Sequence, residues 1–174
     1  MLSALTLIAG CSTAPMGAAA PVAEAARALE APSPADYVRM AAVSHQYEIQ
    51  SSRMVLETTQ DEALRRFAGM MVEHHTGTTV ALQAAAQRDG LSPPAATLDP
   101  AKAQMVRELQ AAAGPARDAL YRTQQVTAHR EALDLHARYE ANGPEGALRA
   151  NAKAAVPIIS RHYNLITDMA APRP

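Results

Sequence analysis

From Pro34 to Met169 apolar positions recur every three or four residues, and turn signals cut this pattern into segments of helical length. Ser33-Pro34 reads as an N-cap followed by proline at the first helical position, which predicts a helix to about Glu57. Thr59-Gln60-Asp61-Glu62 reads as a capping box, so a second helix starts almost at once, doubles back, and ends near Arg88, before Gly90. GLSPPAATLDP is a loop that closes on Asp99 as cap and Pro100 as helix start. A short helix to about Ala113 stops at Gly114-Pro115, a long one runs to about Ala141, and Asn142-Gly143-Pro144 turns the chain into a last helix reaching about Met169. The expectation is an all-α antiparallel four-helix bundle with one extra short helix.

The inward seams carry histidines. In the second helix Leu64, Ala68, Met71, His75, Thr78, Leu82 and Ala85 fall on one face, with His74 beside it. Leu148, Ala152, Ala155, Ile159, His162, Ile166 and Met169 do the same in the last helix. Val38, Ala41, His45, Glu48, Ser52 and Val55 form the seam of the first. In the fourth, Arg122, Val126, His129, Leu133 and His136 keep the period less cleanly. With ~1.5 Å of rise per residue, Glu48 lies ~18 Å before Gln60 and His75 ~22 Å after it, so the two are level to within a turn. His129 is level with His75. Counted from Gly143, His162 comes out ~7 Å deeper than His129, and Pro157 can kink that helix.

Composition narrows the classes. The chain has 174 residues, enough for one domain, with no tryptophan and one phenylalanine, so its core is built from small aliphatic side chains, which suits close-packed helices. The formal net charge is -1 with signs interspersed, which supplies no phosphate-binding surface and argues against nucleic acid. Cys11 is the single cysteine, so no internal disulfide or thiolate cluster can form. MLSALTLIAGC ends in the small-small-Cys pattern of a lipobox, and residues 1–11 are expected to be a signal peptide with Cys11 the lipidated residue. No Lys or Arg precedes this short apolar run, so a start upstream of Met1 is allowed. Residues 12–34 are rich in alanine and proline and read as a tether, 35–170 as the helical domain, and 171–174 as a tail. An N-terminal lipid would then be the membrane contact, with a periplasmic, outer-membrane-anchored address, since Ser12 rather than Asp follows the cysteine. The sequence names no protein partner.

Glu48-Ile49, the run FAGMMVEHHT, Tyr121 with His129, and Pro157 with His162 together resemble the bacterial envelope family known as domain of unknown function 4142, over about Asp36 to Ala170. That resemblance implies a ferritin-like bundle and an envelope address, and no established reaction. The family's run has two acidic residues before its histidine and threonine. Here it reads Glu73-His74-His75-Thr76, so His75 is the matching position and His74 a departure.

Three imidazoles and one carboxylate suit a borderline first-row metal such as zinc, copper or iron. The candidate ligands are Glu48, His75, His129 and His162, with His45 as a fifth candidate or a support and His74 and His136 further out. The competing reading is a metal-free polar core: histidines bonded to Ser44, Ser52, Thr78 or Thr79, and Glu48 paired with Arg122 or His45, in a structural or interaction module of the envelope. A ferritin-like di-iron oxidoreductase would need Glu-x-x-His motifs, and the chain has none, only the reversed His45-Gln46-Tyr47-Glu48. The scattered methionines read as core filling, and neither Gly-x-Ser-x-Gly nor a P-loop occurs, so no catalytic residue is assigned.

Overall fold

A computed structural model describes residues 30–93, 95 and 97–170 of the chain. The expected signal peptide with Cys11, most of the tether and the tail at 171–174 lie outside these residues. Five helices follow one another: α1 Pro34–Thr58, α2 Glu62–Arg88, α3 Pro100–Ala111, α4 Gly114–Asn142 and α5 Ala147–Ala170. Ser33 caps α1 by accepting the Asp36 N–H, and Pro34 sits where its missing donor has no helical partner to lose.

The second cap differs from expectation. Thr59 ends α1 instead of starting α2, and the N-cap of α2 is Asp61, whose carboxylate accepts from Ala63 N and Leu64 N. A carboxylate satisfies two orphan donors at once and opposes the positive end of the helix dipole, which a threonine hydroxyl cannot do as well. Thr59 instead accepts from Asp61 N and donates to Asp118 of α4.

Packing follows from which residues share a core. α1 lies against α2 and α4, and α5 lies against α2 and α4, so the long helices form a ring in the order α1, α2, α5, α4. Tyr37 meets His136 while Ser52 meets Tyr121, so α1 and α4 are antiparallel. Leu82 clusters with Leu148 and Leu64 with Ile166, so α2 and α5 are antiparallel too. α2 and α4 therefore run the same way, and the connection between them must travel the length of the bundle. That crossover carries α3, whose Val106 packs on Tyr47 and Ala128 and whose Leu109 reaches the far core. One long crossover in an otherwise antiparallel four-helix ring is the ferritin-like connection.

The core has two apolar ends. One is built from Tyr37, Val38, Ala41, Leu82, Ala86, Leu135, Tyr139, Leu148 and Ala152, the other from Val55, Leu64, Phe67, Ala68, Met71, Leu109, Tyr121 and Ile166. Met71 fills space in the second, as expected of a core methionine, whereas Met40 is exposed. Between the two ends lies a polar layer: His45, Glu48, Ser51, Ser52, His75, Gln125, His129 and His162 are all buried.

α4 corrects its expected seam. Its buried line is Tyr121, Gln125, Ala128, Ala132, Leu135 and Tyr139 together with His129 and His136, while Arg122, Val126 and Leu133 are only half-buried. α4 touches α1, α3 and α5 and so buries more than one stripe, including Asp118 and Gln124, which blurs the period. The depth of His162 also resolves. The turn uses Gly143 to Gly146 without advancing along the axis, so counting from Ala147 puts His162 ~22 Å in and His129 ~20 Å from the other side of the turn.

α5 lacks a capping residue of its own at its start. Asp89, at the C-terminal end of α2, accepts from Ala147 N and Leu148 N at 2.8 Å each and so caps α5 from another helix. Gly146 is required there, since a Cβ would lie 2.7 Å from an Asp89 carboxylate oxygen. Replacing Asp89 by alanine is expected to cost about 1–2 kcal/mol and lower the melting temperature by roughly 3–8 °C. Thermal unfolding followed by circular dichroism checks this; no shift would mean that solvent caps α5 equally well.

Candidate metal centre

The bundle brings one nitrogen from each of His75, His129 and His162 within 4.8 Å of one another. The rings come from α2, α4 and α5, with centroids 5.6–6.2 Å apart. They are 6 %, 2 % and 1 % exposed, so they stand in an interior closed to bulk water. In each ring one nitrogen is held and the other has no partner: His75 Nε2, His129 Nε2 and His162 Nδ1 are all buried without a hydrogen bond.

The held nitrogens show how the free ones are aimed. His129 Nδ1 lies 2.9 Å from the Gln125 carbonyl, which can only accept, so the proton sits on Nδ1 and Nε2 is a bare lone pair. His75 Nδ1 lies 3.1 Å from His45 Nδ1, and His162 Nε2 lies 2.8 Å from His74 Nδ1. If His75 donates to His45 and His162 donates to His74, the remaining nitrogen of each of the three rings is a bare lone pair. The opposite tautomers would leave N–H groups on His75 and His162 with no acceptor within hydrogen-bonding reach. Either way the polar atoms stay unsatisfied, at about 1–3 kcal/mol each. A cation resolves all three at once.

Charge is arranged to suit one. Burial, reinforced by the neighbouring imidazoles, holds His75 well below its ordinary value and pushes His162 down to about 3. Burial likewise lowers His45 to about 3 and His136 to about 4. These rings are neutral near pH 7, the form that binds a metal. A tetrahedral zinc ion with Zn–N bonds of ~2.0–2.1 Å would bring ligand nitrogens to about 3.3 Å apart, a closure that small ring rotations supply.

Of the four expected ligands, the structure brings three together. Glu48 stands outside the group of atoms within 4.8 Å of one another: its Oε1 lies 3.9 Å from His129 Nδ1, the nitrogen that also meets the Gln125 carbonyl. Level depth alone did not reveal this, because depth does not say which nitrogen of a ring a neighbour meets. Burial pushes the Glu48 carboxyl above its ordinary value, against the opposing pull of His129. Arg122, once a candidate partner, instead bonds Asp61 at 2.6 Å.

His45 and His74 are the supports of His75 and His162. His136 lies off the centre, with Nδ1 2.9 Å from the Tyr37 hydroxyl. Three of the four hydroxyl residues proposed as partners are engaged elsewhere: Thr78 and Thr79 donate to the His75 carbonyl and Ser52 bonds Tyr121. Gln125 was missed. Its main-chain carbonyl fixes the His129 tautomer and its side-chain amide donates to Ser51 Oγ at 3.4 Å; the first contact uses a group that every residue has, so no residue type signalled it.

The fold and the centre define a class: a ferritin-like all-α bundle with a buried histidine layer. The chain belongs to the family "Domain of unknown function (DUF4142)", whose model matches residues 18–169. Among solved structures, the crystal structure of a protein from Streptomyces coelicolor, described as secreted and assigned to DUF305, is similar in fold. It has a TM-score of 0.66 and 16% identity over 79% of this chain and 91% of that one. No curated protein matches.

The lowered histidine values set a pH dependence. Below pH 6.5 the unfolded chain's histidines take up protons that the folded rings refuse until about pH 4 to 3, so stability falls on acidification. Glu48, with its value raised, pulls the other way, but it is one group against several. The metal-free protein is therefore expected to lose melting temperature steadily from pH 7 to pH 4, and His45→Gln should flatten the slope. A profile that is flat in the parent protein would show that these rings charge freely in the folded state.

Proposed function

We propose that this is an exported cell-envelope protein that holds one first-row transition-metal ion, zinc, copper or iron, on His75, His129 and His162. The observation that carries the reading is a buried trio of histidines, each offering a ring nitrogen within 4.8 Å of the others and each keeping one buried nitrogen without a hydrogen bond. Neutral imidazoles select borderline metals over calcium or magnesium, which require oxygen. Three protein ligands leave a tetrahedral ion one position free, so the bound ion would act as a Lewis acid or exchange with solution. Glu48 balances charge through His129: an ion of charge +2 on three neutral rings favours an ionised carboxylate 3.9 Å from Nδ1.

The envelope address rests on the lipobox-like run ending at Cys11, on the family resemblance, and on the neighbour described as secreted. Among the described residues no helix is long and apolar enough to cross a membrane, so an N-terminal lipid is the proposed anchor. A di-iron oxidase is disfavoured by the chemistry of the donors: among the described residues only the carboxylate of Glu48 is buried with the histidine layer, whereas a two-metal site uses several.

Purified without a histidine tag, the protein is expected to carry about one ion per chain by elemental analysis, or to take one up on titration. At free metal ~100 times its dissociation constant the bound form gains about 2.7 kcal/mol. His75→Ala, His129→Ala and His162→Ala should each abolish stoichiometric binding, Glu48→Gln should weaken it, and His74→Ala should leave most of it. A correctly folded bundle that takes up none of the three metals overturns the reading and leaves a metal-free module of the envelope.

A further inference from the structure

The histidine layer meets the surface at His74. This residue is half-buried, its Nδ1 lies 2.8 Å from His162 Nε2, and both line a groove of about 580 Å³ between α2 and α5. His162 thus spans the wall between outside and inside: one nitrogen faces the groove residue and the other, Nδ1, is buried without a partner. We propose that metal ions reach and leave the three-histidine centre through this groove, with His74 Nδ1 the first atom to take them, once it releases the His162 Nε2–H, and His162 the ring that then passes them inward. The proposal rests on the reading of the centre as a metal site.

A second observation supports the route. The groove is bordered on α2 by Gly77 and on α5 by Pro157, the two residue types that most weaken a helix. Glycine there costs about 1 kcal/mol relative to alanine, and Pro157 has no N–H to give to the Lys153 carbonyl. Sterics do not demand the glycine, since a Cβ at Gly77 would meet nothing within 4 Å. Its effect is to leave the groove open beside His74. Arg161 stands at the rim, exposed, so its repulsion of an incoming ion is screened by solvent.

The test is kinetic. Cobalt(II) uptake would be followed in the visible spectrum by stopped flow, and removal by excess chelator, for the parent protein, Gly77→Leu, His74→Leu and Gly69→Leu. Gly69 is on the same helix, also has nothing within 4 Å of a built Cβ, and does not line the groove, so it controls for helix stiffening. Gly77→Leu is expected to slow uptake and removal alike, by about tenfold or more, with the dissociation constant little changed. His74→Leu, which keeps bulk and loses the nitrogens, should also slow both while one ion still binds per chain. Gly69→Leu should match the parent. Unchanged rates in both groove variants, or equal slowing in Gly69→Leu, would overturn the route while the metal site stands. A parent protein that binds no cobalt at equilibrium would instead overturn the metal reading itself.

Discussion

The constraint on which the rest of this molecule depends is the satisfaction of polar atoms in a dry interior. Every long helix sends polar side chains to the same level of the bundle, and a buried polar atom without a partner is costly. Most of the layer satisfies itself: His45 holds His75, His74 holds His162, the Gln125 carbonyl holds His129, and Ser52 holds Tyr121. What is left over in the layer is one nitrogen on each of His75, His129 and His162, together with one oxygen each of Glu48 and Gln125. The two apolar ends of the core pay for this layer by burying large side chains such as Leu64, Phe67, Leu82 and Leu148.

The arrangement around those nitrogens is directional. On one side Glu48 places a buried carboxyl 3.9 Å from His129 Nδ1; on the other His74 links His162 to a groove. Ferritin-like di-iron bundles carry several carboxylates at this level. Here most of the buried titratable side chains at that level are imidazoles, a donor set that suits borderline metals better than oxygen-rich iron pairs. The likeness to the DUF305 structure, at 16% identity, extends to the fold and no further.

Much of the fold was legible because its signals are local. Proline at the start of α1, Asp99 before Pro100 and the spacing of Leu64, Ala68, Met71 and His75 each act within a turn or two of the chain, and they mark helices whatever those helices later touch. Where the reading went astray, a non-local partner had intervened. Thr59 lost the cap of α2 because Asp118 engages its hydroxyl and Asp61 offers a better acceptor. The seam of α4 was blurred because three helices pack on it. His162 looked too deep because the residues of a turn do not advance along the axis.

By itself, then, the sequence determined the number, length and order of the helices and the inward placement of the histidines, since a period of 3.6 residues fixes which side chains share a face. Only the tertiary structure decided which nitrogen of each ring is free, that Glu48 meets His129 at Nδ1 and stands outside the trio, and that His74 and His162 line a groove with Gly77 and Pro157. Those facts depend on how four helices rotate about their own axes against one another. A rotation of one helix re-aims every ring it carries while leaving the periodicity of its sequence unchanged.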